Sequence, residues 1–163
     1  MQLFVIDRDP QEAAHSLADC HIRKQILETA QILTAYWVNS GYERLEWMPK
    51  PQNYNHPIAK AIRPENVGWV IKHFYGLIMQ FRNRFRKEHK YNELLWEFTF
   101  QILENRLGSG MDVDSFYRMF SGFTPESGDI VSEYRQYYRW KLKHIKNFKY
   151  TQVKPPEWLE VEK

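Results

Sequence analysis

Four residues of one helix-forming stretch carry groups from which a site can be built. They are His21, Lys24, Glu28 and Gln31, within DCHIRKQILETAQILTAYW at positions 19–37. Steps of three, four and three residues stack such side chains along one face of a helix. A carboxylate at Glu28 can stabilise a positive charge or activate water. His21 can contact phosphate or pass a proton. Lys24 can hold phosphate, or favour the ionised form of Glu28. Gln31 adds an amide for binding substrate. The plain alternative is that the row is the wet side of an amphipathic helix. Against that stand Ile32 and Ala35, which border the row and make the second half of the helix apolar on all sides. Helices of that kind are covered on both faces, and a covered polar row needs partners or a ligand.

Further candidates lie later in the chain. Between Tyr134 and Pro156 stand Arg135, Arg139, Lys141, Lys143, Lys146, Lys149 and Lys154, with no acid among them. Tyr134, Tyr137, Tyr138, Trp140, Phe148 and Tyr150 are interleaved. Cations attract a phosphate backbone and flat rings stack on bases. A second basic cluster holds Arg82, Arg84, Arg86, Lys87 and Lys90. From these segments Arg84, Lys87, Tyr134, Arg135, Tyr138 and Lys141 are expected to bind substrate. The competing reading makes Tyr134 and Tyr138 core residues and the cations a solvated face. Asn55 and His56 are further binding candidates, on a proline-rich loop. No HExxH, CxxC pair, phosphate loop or GxGxxG occurs, so neither a bound metal nor a cofactor is expected. Cys20 and His21 are neighbours, and neighbours on a helix point about 100° apart. An ordinary semi-buried cysteine is therefore the expectation.

The elements that must hold these groups are helical. The row's own helix has an apolar stripe, Ile22, Ile26, Ala30, Leu33 and Trp37, and Gly41 stops it. Asp9-Pro10 starts a short helix before it. Pro49, Pro51 and Pro57 make residues 42–57 a loop. Helices follow at about 64–90 and around Leu94–Ile102, a short one over 112–120, and a last one from Asp129 to about Lys146. Residues 3–6, LFVI, are too few to build a sheet and pack on the helices as an extended arm. The expectation is an all-α fold: one compact helical bundle over residues 1–163, with a short extended N-terminal arm. Hydrophobic content of 43% and aromatic content of 16% suffice for its core. A single cysteine excludes an internal disulfide, and a reducing cytoplasmic setting fits. Nothing at the start reads as a signal peptide. No apolar run approaches the roughly 20 residues that span a bilayer. The formal charge of +3 says little about partners.

Two resemblances follow from these residues. Phe4-Val5-Ile6-Asp7, Asp9-Pro10, Ala13-Ala14 and Asp19-x-His21-x-x-Lys24-x-x-x-Glu28-Thr29-Ala30-Gln31 resemble a group of small bacteriophage proteins. So do Asn55-His56-Pro57, Arg84-Phe85-x-Lys87-x-His89, Tyr134-Arg135-x-Tyr137-Tyr138 and Pro156-Glu157-Trp158. That likeness implies a viral origin, in the cytoplasm of an infected host, and no activity. Leu17-Ala18-Asp19-x-His21-Ile22 followed by Glu28 is similar to the helix of the phage pyrimidine-dimer DNA glycosylases of the endonuclease V type. Tyr134-Arg135-x-Tyr137-Tyr138 is similar to their aromatic C-terminal segment. This second likeness implies an all-helical fold and a site that holds a nucleotide sugar. In that family a glutamate supports attack on the glycosidic carbon, and the nucleophile is the α-amine of the mature N-terminus. This chain departs from the pattern: Gln2 does not favour removal of Met1, and a longer arm precedes the helix.

Three functions are consistent with these residues. The first is glycosylase-like cleavage of an N-glycosidic bond in DNA or a nucleotide, with Glu28 and His21 catalytic. The second is a non-catalytic protein that sequesters a host defence nucleotide, its pocket closed by a homo-oligomer. The third is an inhibitor that docks on a host enzyme through aromatic anchors. The first two bind nucleotide or DNA phosphates, and none needs a membrane.

Overall fold

The computed structural model describes residues 1–159. Local chemistry sets the first turn. Asp9 accepts the amides of Gln11 and Glu12, and Pro10 takes the first helical position, opening α1 (Pro10–His15). After a short corner comes α2 (Asp19–Asn39), the longest helix. It stops before Gly41, whose φ of 100° is left-handed, a region glycine enters without steric penalty. A one-turn helix α3 (Pro57–Lys60) follows a long loop and leads into α4 (Val67–Phe85), α5 (Asn92–Glu104) and α6 (Ile130–Lys143). Single 3₁₀ turns stand at Val113–Ser115 and Glu157–Leu159. Among the described residues there is no strand, so the fold is all-α.

The expected seam of α2 is buried throughout, and Ile32 and Ala35 on its other side are buried too. The second half of α2 is therefore covered on both faces, while Arg23, Lys24 and Leu27 of its first half are exposed. The arm supplies part of the cover. Leu3, Phe4, Val5 and Ile6 are buried, and the Phe4 ring lies against His21 of α2 and Tyr137 and Tyr138 of α6. The arm stays extended, and α6 holds it through Arg135, which donates to the Ile6 carbonyl at 2.8 Å. α1 packs on α4 where Gly76 leaves room. A Cβ there would stand 2.9 Å from the Ala14 Cβ, so any larger residue must push the helices apart.

Four boundaries differ from expectation. α4 begins at Val67 rather than near 64. α4 ends at Phe85 rather than near residue 90, because Arg86 turns left-handed at φ 53° and its amide closes on the Arg82 carbonyl. α6 ends at Lys143, short of 146. The expected short helix over 112–120 is one 3₁₀ turn, with Asp112 accepting the Asp114 amide.

Candidate active site

Glu28 lies mid-helix on α2, with its side chain only 13% exposed. Its Oε2 accepts the Gln25 amide at 2.6 Å. Its Oε1 is 3.8 Å from Lys24 Nζ, an i,i+4 pair. Gln25 is itself buried, so the helix presents a fixed amide that orients the carboxylate. Burial raises the Glu28 pKa above the ordinary glutamate value; the charges of Lys24, the N-terminal amine and Lys141, and the Gln2 backbone amide, pull it down. Two buried side-chain oxygens of α2, Gln25 Oε1 and Thr29 Oγ1, have no hydrogen-bond partner.

Glu28 faces a hollow of about 290 Å³, shared with Met1, Arg23, Lys24, Gln31 and His56. Gln52, Asn53 and Leu27 complete it. The far wall is the proline-rich loop, which α2 itself pins down. The Trp37 indole donates to the Glu43 carbonyl at 2.7 Å and Asn39 to that of Tyr54 at 2.9 Å. Gln31 donates to the Lys50 carbonyl at 3.2 Å. His56 caps α3 by accepting the Ile58 amide on Nδ1 at 3.2 Å. In the neutral ring Nε2 then carries the proton, and burial together with the N-terminal charge lowers the His56 pKa. On the α2 wall the Arg23 guanidinium lies over the Phe85 ring at 4.2 Å. The hollow thus joins one oriented carboxylate, two cations and a neutral imidazole.

The other expected residues are distributed differently. His21 is 5% exposed and does not line the hollow. Its Nδ1 shares a 2.8 Å hydrogen bond with the Tyr138 hydroxyl, which also accepts the Ala18 amide. Burial, with Lys141 and Lys24, lowers the His21 pKa to about 4. Arg84 has a side chain that is 0% exposed and ion-paired to Asp19 at 3.1 Å. It donates to the carbonyls of Leu17 and His15 and to the Gln80 amide oxygen. It is a strut between α4 and the α1–α2 corner. Arg135 holds Ile6 and Asp7 of the arm. Tyr134 is buried, its hydroxyl donating to the Tyr117 carbonyl at 2.8 Å. Tyr138 is buried in the His21 cluster. Lys87 lines a separate surface hollow with Arg82, Asn83 and Arg86. Exposed Asn55 closes a turn on the Asn53 side chain. Lys141, half-buried over the Tyr137 ring at 5.7 Å, lies near enough to influence both His21 and Glu28.

Met1, Arg23, Gln25, Gln52 and Asn53 escaped the sequence reading. For Gln25 a signal existed: glutamine three residues before glutamate on a helix is within hydrogen-bonding reach. Met1 carried none, because the path of the arm depends on tertiary packing.

No helix among the described residues is long and apolar enough to cross a membrane. Comparison with curated proteins and with solved structures finds no match. A family model described as pyrimidine dimer DNA glycosylase matches residues 1–92. That span holds Met1, Lys24, Gln25, Glu28 and the whole loop wall, and it is more than half of the 163 residues. The carboxylate-bearing hollow thus lies within the family's own part of the chain, and the chain belongs to the pyrimidine dimer DNA glycosylase family.

Proposed function

We propose that the hollow beside Glu28 cleaves an N-glycosidic bond of a damaged nucleotide in DNA, with Glu28 as the catalytic carboxylate. One observation carries this reading: a largely buried glutamate, oriented by Gln25, opens onto a cationic hollow that Met1 also lines. Ionised Glu28 stabilises positive charge developing on the deoxyribose. That charge is worth more to a carboxylate in a desolvated site than in water. The amine of Met1 attacks C1′ and loses a proton. The C1′–N bond breaks, and the base leaves with the bonding pair and is protonated by water. The sugar ring then opens to an imine on the amine. Arg23, Lys24 and Lys141 face the phosphates. Gln31, Gln52, Asn53 and His56 surround the sugar and base.

The test is ultraviolet-irradiated duplex DNA, with undamaged duplex as control. Base release, together with a protein–DNA adduct trapped by borohydride, supports the assignment. No release from either duplex, or release unchanged in Glu28→Gln, overturns it. Release without a trapped adduct moves the nucleophile from Met1 to water and leaves Glu28 in place.

A further inference from the structure

α4 ends in a cluster of cations with little to neutralise it. Arg82, Asn83, Arg86 and Lys87 border a surface hollow of about 460 Å³. Among the described residues one carboxylate lines it, Glu88, and Arg82 already holds that at 3.0 Å. Arg86 and Lys87 are exposed, and no ion pair among the described residues involves either. Arg84 and Arg135, from similar basic runs, turn to carboxylates; these two keep their charge uncompensated. The backbone adds a second observation. Arg86 is left-handed at φ 53°, at a helix end where glycine or asparagine carries the least steric cost. Side chains held in such conformations cluster at functional sites.

The cluster also continues the hollow beside Glu28. Arg23 lines that hollow, and its guanidinium lies on the Phe85 ring at 4.2 Å. Phe85 directly precedes Arg86, and Phe81 braces its ring edge-on at 5.0 Å. One cationic surface therefore leads from Glu28 over the Arg23–Phe85 pair to Arg86 and Lys87. We infer that this surface carries the phosphate backbone of the DNA away from the hollow, with Arg86 and Lys87 holding phosphates outside the damaged nucleotide. The inference rests on the reading of the hollow as a DNA glycosylase site, and it adds a contact beyond the hollow. A free nucleotide would engage Arg23 and Lys24 and leave the end of α4 idle. A polyanion that runs on past the hollow fits the uncompensated cations on its rim, because each phosphate they neutralise releases condensed counterions. Such contacts fix the register of a duplex and carry no sequence information.

Fluorescence anisotropy with a short undamaged duplex, over a range of salt concentrations, tests the surface. Log affinity should fall linearly with log salt concentration. Arg86→Gly and Lys87→Ala should each make that slope shallower by about one, the share of a single phosphate contact, and the double variant by about two. Arg86→Gly should meanwhile melt no lower than wild type, since glycine suits the left-handed backbone; a residue kept for the fold would do the opposite. Exposed Lys72 lies roughly 20 Å back along α4 from Arg86. Lys72→Ala removes the same charge and should leave the slope as it is. A double variant with the wild-type slope overturns the inference and leaves base release by Glu28 untouched. So does a loss from Lys72→Ala as large as that from Lys87→Ala, which would reduce the effect to net charge. A wild-type chain that binds no duplex overturns both this surface and the DNA reading on which it rests.

Discussion

The N-terminal turn of α2 and the turn that follows it carry similar side chains and treat them in opposite ways. In the first turn, Asp19 binds Arg84 and the Thr151 backbone and hydroxyl, and His21 binds Tyr138. Helices, arm and tail all converge on this cluster, which closes on itself. In the next, Gln25 holds one Glu28 oxygen, exposed Lys24 stands near the other, and the carboxylate faces a hollow. A closed polar cluster fixes a corner. A polar cluster left open to a hollow has capacity for a ligand. Residue type does not separate the two; what surrounds each does.

The sharpest way to test the contrast is to change one residue in each cluster. Glu28→Gln keeps the shape and the Gln25 hydrogen bond while removing the charge. Base release should fall by about a thousandfold, within the range a positioned acid or base supplies. The melting temperature should hold or rise, because burial disfavours the ionised Glu28 of the native state. Arg84→Ala should do the reverse. It leaves Asp19 and two carbonyls without their buried donor, and breaking such a pair by removing one partner costs about 3–5 kcal/mol. Denaturant unfolding should show that loss. Molecules still folded should retain their rate per site. If Glu28→Gln destabilises the fold and spares turnover, the open cluster is structural after all.

Acid separates the clusters next. His21, and His73 of α4, buried outside both clusters with its Nδ1 2.9 Å from the Pro10 carbonyl, each have a folded pKa of about 4, below the ordinary 6.5, chiefly through burial. A depressed histidine binds its proton more readily in the unfolded chain. Its contribution to stability is therefore complete above about pH 6.5 and is lost as pH falls toward 4. A shift of this size corresponds to something on the order of 3 kcal/mol for each ring. Melting followed between pH 7 and 4 should show a steep acid slope, and His21→Gln should flatten part of it. A slope unchanged by His21→Gln would mean that the ring is hydrated, and the cluster less closed than its geometry indicates.

Much of this arrangement was legible in the sequence. Caps and prolines located α1, the stop of α2 and the long loop, since Asp9, Pro10 and Gly41 act within their own few residues. The seam of α2 followed from its period, and Ile32 with Ala35 correctly signalled cover on both faces. Helix ends were less legible. Nothing local forces Arg86 to turn left-handed, so the end of α4 was placed too late. The cationic residues were least legible of all. Arg84 and Arg135 sit in basic runs, yet each turns inward to a carboxylate and a backbone carbonyl. A charge run records how many cations there are and leaves open which of them tertiary partners take up. Spacing singles out Glu28, whereas Gln25 lies outside the row of His21, Lys24, Glu28 and Gln31.

Gln25 gives the finest discrimination between the two clusters. Its amide donates to ionised Glu28 at 2.6 Å from a buried position, and a hydrogen bond to the charged form favours that form. Gln25→Leu removes the donor, so the raised Glu28 pKa should rise further. The acid limb of the pH–rate profile should move to higher pH. On that limb the rate should fall by about tenfold, the equivalent of 1.4 kcal/mol from a charge-assisted hydrogen bond, with little change on the plateau above it. Gln25→Glu should shift the limb further in the same direction, because it replaces the donor with a like charge. Gln25→Leu also removes the unpartnered Oε1, so its stability should change little. Packing alone would lower the rate by the same factor at every pH; only a group that tunes the carboxylate displaces the limb.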